Sequence, residues 1–433
     1  MKKTGKLLIL LLILSICLTI SNFVLAQEEK IELKICRAGY PVELAPFFEE
    51  FIEEYQQEHP NVYFKVIEAD WGTFHDRIGI WIRGKQEPDV YLTSNTEYAS
   101  YQNIGAYLCL DDVMDEKLKN AIPEKLLEGY RVDGKQYAIP GNAATYSFWY
   151  NKEIFEKAGL DPDKPPKDWN ELLDYSQKII ENTDAYGLGL NMGRPEDMTQ
   201  LIFANIYYSA TNKPYVDNRG KALFNSPEGI KAVQFIVDLV NKYKVTQPYP
   251  EEYNKGDLRL LFRDGKIAMN VDGPWIIKYL EEVTDMSSRE SSKFVVADPP
   301  ASTIEGKEAM VAMGADPWVI SANTKYPEVA KDVLRKLLET KWQYKHDSAL
   351  NQNPFRNDVV KEYEYDKQWI WDVMLKDMNR SIDHAPLVPP TATITEVKRI
   401  FHEYVSQALL GKMSVKEAMD KGAEEVNKLF GVE

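Results

Sequence analysis

The sequence predicts an α/β protein, in which helices cover the faces of sheets, and the length of the chain predicts two lobes. Strand-like and helix-like segments alternate along the sequence. Residues 31–36 and 62–67 are strand-like, and the segment between them carries an apolar stripe at helical spacing, formed by Phe47, Phe48, Phe51, Ile52 and Tyr55. The 433 residues exceed the roughly 250–300 beyond which one hydrophobic core usually divides.

Residues 1–26 have the pattern of a secretory signal peptide. Lysines precede an apolar run over residues 7–20, and the small residues of a cleavage site follow at positions 24–26. No later apolar run is long enough to span a bilayer. A lipid anchor at Cys17 is disfavoured because Ile16 stands where that signal needs Gly, Ala or Ser. The sequence therefore predicts soluble export, with a mature chain that begins after residue 26.

The composition argues against polyanionic partners. The formal net charge is −15, and it becomes more negative when the lysine-rich leader is removed, so nucleic acid is not an expected partner. Two cysteines remain in the mature chain, Cys36 and Cys109. An oxidising compartment permits a disulfide between them, whereas two thiols are the simpler expectation.

One segment, YRVDGKQYAIPGNAATYSFWYNKEIFEKAGLDPDKPPKDWNELL, carries the densest local signals. Asp133-Gly134 suits the positive φ angles of a tight hairpin turn. Asn151 follows an apolar strand-like run and is placed to cap a helix. Asp168 stands three residues before Glu171, which is the spacing of a capping box at the start of another helix.

As an ordered string, this segment resembles the extracellular solute-binding proteins of bacterial ABC importers, specifically the maltose- and sugar-binding family. Two more segments are similar to the same family: PDVYLTSNTEYASYQNIGAYLCLDD at residues 88–112, and LFRDGKIAMNVDGPWII at 261–277. The GPW box in the latter is the most specific match. The resemblance covers nearly the whole mature chain and implies a two-lobe periplasmic-binding-protein fold, with a ligand cleft between the lobes and multiple chain crossovers.

No flexible Gly/Ser stretch marks the lobe boundaries in the sequence. The resemblance implies a first lobe of residues 27–141 and 296–340, and a second lobe of residues 142–295 and 341–433. Small-molecule sites concentrate in clefts of this kind, and hinge closure buries a ligand that either lobe alone would leave in water.

Trp275 is the first candidate for a ligand contact. It follows Gly273-Pro274 at the end of a strand, where regular pairing cannot continue, and in the resembled family the tryptophan of this box commonly stacks on a sugar ring. Sugars present apolar C–H faces flanked by hydroxyls, so aromatic rings with nearby polar groups suit them. Trp71 and Trp318 are further candidates, for which packing in the core is the open alternative.

The resemblance places Tyr40, Thr96 and Glu97 at cleft positions. Maltose-binding relatives often carry a hydroxyl-binding acid and base where Thr96 and Glu97 stand, and this chain departs from that pair. Where maltodextrin binders often have an acid, this chain has alanine, with Asn142 and Tyr146 nearby. Maltose is therefore not the expected ligand.

Two arginines complete the predicted set of ligand-binding residues. Arg194 and Arg356 have planar side chains that can form paired hydrogen bonds with sugar hydroxyls or a carboxylate. The alternative for both is a solvated position on the protein surface.

The resemblance implies the extracytoplasmic substrate-binding component of an ABC transporter, which captures a mono- or oligosaccharide by hinge closure and delivers it to the permease subunits. It implies a monomer in the periplasm or at the cell exterior, without a cofactor or metal. Two alternatives stay open: the same fold binding a glycerol phosphate, polyamine or other small solute, and a secreted polysaccharide-acting enzyme with two opposed carboxylates. No metal-ligand spacing, nucleophile elbow or phosphate loop occurs in the sequence, so an enzyme is not expected.

Overall fold

The computed structural model describes residues 29–432, apart from residues 218 and 385–393. The predicted signal segment, residues 1–26, lies outside the described residues. Within the described part of the chain, no helix combines the length and the apolar character needed to cross a bilayer. Two sheets, each with its own hydrophobic core, confirm the predicted α/β fold with two lobes.

The first lobe is built on a five-stranded mixed sheet. Its strands are β1 (Ile31–Gly39), β2 (Val62–Asp70), β3 (Val90–Leu92), β6 (Ile139–Pro140) and β13 (Pro317–Ile320). They lie in the order β2-β1-β3-β13-β6, with β1, β2 and β3 parallel and β13 antiparallel to both of its neighbours. The three parallel strands therefore end at one edge of the sheet, which is the edge where ligands bind in open α/β sheets.

The helices of the first lobe bury aromatic side chains against this sheet. Trp342 is fully buried and packs edge-on against the rings of Phe47 and Phe51, at centroid distances of 5.8 and 5.2 Å. A hairpin of β4 (Arg131–Val132) and β5 (Lys135–Gln136) adjoins the sheet. The helices are α1 (Ala45–Glu58), α2 (Trp71–Gly84), α3 (Asn95–Gln102), α4 (Glu116–Ala121), α5 (Glu124–Glu128), α13 (Pro327–Leu337) and α14 (Thr340–Leu350).

The second lobe is built on a four-stranded sheet. Its strands are β8 (Ser147–Asn151), β9 (Tyr186–Leu188), β10 (Ile267–Asp272) and β11 (Phe294–Ala297). They lie in the order β11-β8-β10-β9, with β8 antiparallel to β10 and β11, and β9 parallel to β10. Ser147 pairs with Asp272, so β8 begins where β10 ends.

Helices on both faces of this second sheet enclose its two apolar clusters. Short helical turns at Ile202–Tyr207, Pro250–Glu252 and Pro274–Ile276 join some of them. The helices are α6 (Lys152–Lys157), α7 (Trp169–Asn182), α8 (Pro195–Leu201), α9 (Tyr208–Thr211), α10 (Pro227–Asn241), α11 (Lys255–Arg263), α12 (Ile277–Leu280), α15 (Asn357–Glu362), α16 (Gln368–His384), α17 (Ile394–Leu409) and α18 (Val415–Phe430).

Within the residues that the structure describes, the chain passes between the lobes at three places. It leaves the first sheet after β6 and enters the second at β8, and it returns between β11 and β13. On these two connections, β7 (Ala144–Thr145) and β12 (Met313–Gly314) pair with each other. The third passage falls between Phe355, which packs in the first core, and Val359, which packs in the second.

Two of the predicted lobe boundaries differ from the structure. Residues 296–297 belong to β11 of the second sheet, because that strand pairs with β8 through Ala297. Residues 341–355 were assigned to the second lobe, but Trp342, Leu350 and Phe355 pack in the first core. The sequence offered no signal for either boundary, because both depend on contacts between segments far apart in the chain.

The turn and helix-cap predictions in the segment from Tyr130 to Leu173 are confirmed, but the capping box predicted at Asp168 and Glu171 is not completed, because the Glu171 carboxylate accepts from the Lys167 amide. Asp133 and Gly134 have φ angles of 51° and 77° in the turn between β4 and β5. The Asn151 side chain accepts a hydrogen bond from the Ile154 amide at the start of α6, and Asp168 accepts two at the start of α7. Cys36 and Cys109 are separate thiols.

Candidate ligand-binding cleft

The second lobe presents Trp275 just beyond the end of β10. Pro274 opens a short helical turn after Gly273, so the chain leaves the sheet and the partly buried indole stands at its edge. The indole N–H donates a hydrogen bond to Asp272 Oδ1 at 2.6 Å. Arg259, on α11, donates to both oxygens of the same carboxylate, at 2.6 and 3.0 Å. Burial alone would lower the pKa of Arg259, but the Asp272 carboxylate raises it overall.

Tyr146 forms a second aromatic surface beside this indole. It lies between β7 and β8, and its ring meets the Trp275 ring edge-on at a centroid distance of 5.5 Å. The Lys255 ammonium lies 5.1 Å from the centre of the Tyr146 ring and 3.7 Å from Asp197 Oδ1. Arg259 and Lys255, two cations on this side of the cleft, thus each have a carboxylate partner.

The first lobe presents Trp71 at the carboxyl edge of its parallel strands. Trp71 begins α2 directly after β2, and its ring lies against Gly39, the last residue of β1. A Cβ atom on Gly39 would come within 2.6 Å of the indole, and the φ angle of +88° also favours glycine there. The His75 ring stacks on Trp71 at 5.6 Å with an interplanar angle of 23°. Packing therefore fixes this indole from two sides.

Carboxylate and amide groups lie along the same edge of the first lobe. His75 Nδ1 lies 2.9 Å from Glu97 Oε2. The Asp316 side chain accepts a hydrogen bond from the Asn95 amide at 3.1 Å, and its backbone amide donates to Asn142 Oδ1 at 3.0 Å. Burial raises the pKa of Asp316 to about 6, although the Asn95 amide and the His75 charge act in the opposite direction.

Tyr40 lies where the two edges approach each other. It follows β1 in the first lobe, and the charges of Arg259 and Asp272 in the second lobe are near enough to perturb its hydroxyl. Burial, the largest effect, raises the pKa of Tyr40 well above its ordinary value, so the hydroxyl stays neutral and can both donate and accept hydrogen bonds. An ion pair between Glu43 and Lys278 joins the same edges nearby.

The structure gathers most of the predicted ligand residues along these facing edges, and their contact with a ligand stays a prediction. Five of them are partly buried there: Tyr40, Trp71, Glu97, Tyr146 and Trp275. Asn142 is 4% exposed and supports Asp316. Thr96 lies on α3, with its side chain outside the described part. Arg194 is exposed just before α8, and the described contacts do not join it to the others.

Two other predicted ligand residues, Trp318 and Arg356, are buried in packing contacts that disfavour their contact with a ligand, which stays a prediction. Trp318 is 3% exposed in β13, where it packs in the first core with its ring against Gly141. Arg356 is 2% exposed, and it bonds to the Leu338 carbonyl and to the Asp358 carboxylate. Its guanidinium is therefore neither in the cleft nor in solvent.

Sequence reasoning missed the polar residues that organise the cleft. Asp272 stands in the GPW box itself, directly before the glycine, and its position was a usable signal. Arg259 and His75 gave no comparable signal, because each lies on a helix while its carboxylate partner lies on another element. Among the described residues, no group of three or more His, Cys, Asp or Glu side chains is arranged to hold a metal ion.

Two α/β lobes with several crossovers, and facing edges lined by aromatic and polar side chains, define the class of two-lobe binding proteins. Residues 38–344 match the model of the family described as "Bacterial extracellular solute-binding protein". The match spans well over half of the chain, and the protein belongs to this family. Its fold is the periplasmic-binding-protein fold.

Similar proteins were found in curated sequences and in solved structures. The chain is 26% identical to the arabinooligosaccharide-binding protein of Bacillus subtilis (strain 168), over 66% of this chain and 65% of that protein. It is 25% identical to the sn-glycerol-3-phosphate-binding periplasmic protein UgpB of Salmonella typhimurium, over 70% and 69%. An ABC transporter solute-binding protein from Thermotoga lettingae TMO, solved with alpha-D-tagatose, is 26% identical, with a TM-score of 0.78 and coverage of 92% and 100%.

Proposed function

We propose that this protein is the extracytoplasmic substrate-binding component of an ABC importer and that it captures a neutral carbohydrate between its lobes. Family membership supports the role in solute capture. A relative described as arabinooligosaccharide-binding and a neighbour solved with a ketose support the carbohydrate class. The sugar, its length and its linkage are left for experiment.

The observation that carries the carbohydrate assignment is the pair of fixed indoles, one on each lobe. Trp71 lies against Gly39, and Trp275 is held by Asp272 and Tyr146. Rigid rings at facing edges offer apolar platforms for the C–H faces of a sugar. The neutral hydroxyl of Tyr40 and the carboxylates near Trp71 supply partners for sugar hydroxyls.

A glycerol phosphate is the second candidate ligand, because the UgpB relative is described as binding one. A phosphate site favours cations that are available to the phosphate oxygens. In this cleft, Asp272 engages the Arg259 guanidinium with two hydrogen bonds, and Asp197 lies 3.7 Å from Lys255. Asp316 and Glu97 add acidic groups on the opposite side. This balance favours a neutral ligand over an anion.

The protein itself carries out no chemistry in this proposal. A hydrolase of the opposed-carboxylate type needs one carboxylic acid and one available carboxylate across the scissile bond. Asp272 and Asp316 both lie near Tyr40, but the oxygens of Asp272 accept hydrogen bonds from Arg259, Gly273 and Trp275. A carboxylate engaged in this way is poorly suited to act as base or nucleophile.

The family locates the protein outside the cytoplasm, and the finer address is part of the proposal. Residues 1–26 act as a cleaved signal peptide, and the mature chain is a monomer that delivers its ligand to the transmembrane permease subunits. Mass spectrometry of the exported protein is expected to give an amino terminus at Gln27. A lipid-modified Cys17 would contradict this assignment.

A thermal-shift panel of mono- and oligosaccharides tests the proposed function. A ligand at 100 times its dissociation constant stabilises the folded protein by about 2.7 kcal/mol, so a true ligand raises the melting temperature clearly. The panel includes arabino- and malto-oligosaccharides, tagatose and sn-glycerol 3-phosphate. We expect a saccharide to raise the melting temperature and to be recovered unchanged after incubation. Stabilisation by the phosphate ester alone, or new sugar products, would contradict the proposal.

A further inference from the structure

Asp272 is the centre of a hydrogen-bond network beneath the Trp275 ring. Its Oδ1 accepts bonds from the Trp275 indole at 2.6 Å, the Gly273 amide at 2.8 Å and Arg259 Nη2 at 3.0 Å. Its Oδ2 accepts from Arg259 Nε at 2.6 Å. The Asp272 carboxylate thus accepts four hydrogen bonds, and a carboxylate has about four acceptor sites. The residue is 3% exposed, so its carboxylate faces protein donors and not the cleft.

These bonds restrict the Trp275 ring, which is the ring of the second lobe best placed to meet a ligand. The torsion about the last side-chain bond of a tryptophan is broad in the absence of a partner. Here the indole N–H is directed at Asp272, and the ring folds back over Gly273, where a Cβ atom would collide with it. The edge of the Tyr146 ring and the Arg259 guanidinium also lie near the indole.

We propose that Asp272 is a positioning residue for ligand binding: it fixes the Trp275 ring in its binding orientation without touching the ligand. The inference rests on the proposed function of Trp275 as a sugar platform. Arg259 contributes by holding the carboxylate in place with two hydrogen bonds. A ring fixed in advance loses less side-chain freedom when a ligand stacks on it, so affinity is higher than for a free ring.

Two substitutions at Asp272 separate positioning from a purely structural role. Asp272→Ala and Asp272→Asn both remove the charge that pairs with Arg259, so both lower the free energy of unfolding. Only Asp272→Asn retains an oxygen that accepts the indole N–H. We expect roughly tenfold weaker saccharide binding for Asp272→Ala and recovery of most of that loss in Asp272→Asn. Equal affinity losses in the two variants would overturn the proposal.

A second comparison tests whether Asp272 affects affinity through the Trp275 indole N–H. In a Trp275→Phe background, which lacks the N–H donor, we expect Asp272→Ala and Asp272→Asn to differ by less than about twofold in affinity. A matched control is Trp369→Phe, because the Trp369 indole is also partly buried and donates to the Met286 carbonyl, outside this network. That control is expected to leave affinity unchanged.

Near-ultraviolet circular dichroism tests the same proposal without a ligand. The difference between the wild-type and Trp275→Phe spectra defines the band of the ordered Trp275 ring. We expect this band to disappear in Asp272→Ala and to persist in Asp272→Asn, and its persistence in both would contradict the proposal. If Asp272→Ala does not fold, Arg259→Met/Asp272→Ala removes the stranded guanidinium and takes its place. Because no saccharide is needed, failure of the proposed function is distinguished from failure of this inference.

Discussion

At the residue scale, two similar sequence segments place a tryptophan in different environments, one at the cleft edge and one in the core. Asp272-Gly273-Pro274-Trp275 and Asp316-Pro317-Trp318 differ in order only by one glycine. In the former, proline begins a helical turn and the indole reaches the cleft edge; in the latter, Pro317 and Trp318 pair within β13 and the indole enters the core. The family motif predicted that Trp275 reaches the cleft. The sequence could not decide between cleft and core for Trp318, because its position depends on the pairing of β13 with β3 and β6.

A pair of alanine substitutions tests this difference. Trp275→Ala is expected to weaken saccharide binding by about 1–3 kcal/mol, by analogy with aromatic platforms that hold nucleobases, with only a small change in melting temperature. Trp318→Ala removes a buried ring and is expected to lower the free energy of unfolding by about 3–5 kcal/mol. Titration calorimetry and thermal unfolding of both variants give the two readouts. Unchanged affinity in well-folded Trp275→Ala would remove that ring from the site.

At the element scale, α16 ties both lobes to the crossovers between them. Its Met374 packs in the second-lobe core and its Met378 in the first. From the same helix, Ser381 donates to the Val311 carbonyl on the second crossover, and Asp377 accepts from Ser147 at the end of the first. Helix caps and strand positions followed from local sequence, whereas this role did not, because it arises only when distant segments meet.

The buried Asp377 predicts a pH dependence of stability. Burial raises its pKa from 3.8 to about 7, with Asp298 acting in the same direction and Arg380 and Ser147 opposing. Because the folded-state pKa is the higher one, the folded protein binds this proton more tightly. The resulting stability is fully present below about pH 4 and is lost as pH rises through about 7. Lys376 lies on the same helix and pairs with Asp298.

Asp377→Asn mimics the protonated carboxyl, so its free energy of unfolding is expected to depend less on pH between 4 and 8 than that of the wild type. Each pKa unit corresponds to about 1.4 kcal/mol. Urea unfolding across this range measures the effect, with Asp174→Asn as the control because Asp174 is exposed and pairs with Lys178. Parallel pH profiles for wild type and Asp377→Asn would disagree with the assignment.

The ion pair between Glu43 and Lys278 links the turn after β1 to α12, and thus one lobe to the other. Burial alone would raise the pKa of Glu43, but the hydrogen bond from Lys278 lowers it overall. Such pairs contribute at most about 1 kcal/mol where they are exposed. Glu43→Gln is therefore expected to weaken ligand binding by less than about fivefold at low salt, and the loss should vanish at high salt.

The Glu50 and Lys345 pair provides the matched control for this prediction, because both residues lie in the first lobe. Glu50→Gln is expected to leave affinity unchanged at every salt concentration. Titrations of both variants at low and high ionic strength make the comparison. Equal losses in the two variants would show that the effect does not come from the contact between the lobes.

At the scale of the whole molecule, the alternation of strands and helices and the chain length were enough to predict two α/β lobes. The family motifs supplied the cleft between them. They did not predict that residues 341–355 belong to the first lobe, or that Arg259 pairs with Asp272. These features depend on how the lobes pack, and no local pattern in one segment encodes them.

The central claim is that a neutral saccharide binds between the lobes with a ring against Trp275. A crystal structure of the mature protein with the saccharide that stabilises it most in the thermal-shift panel tests this claim most directly. We predict a sugar ring stacked on Trp275, within reach of Trp71 and the Tyr40 hydroxyl, with the indole N–H still bonded to Asp272. A saccharide bound outside the cleft, or within it but away from Trp275, would contradict the account.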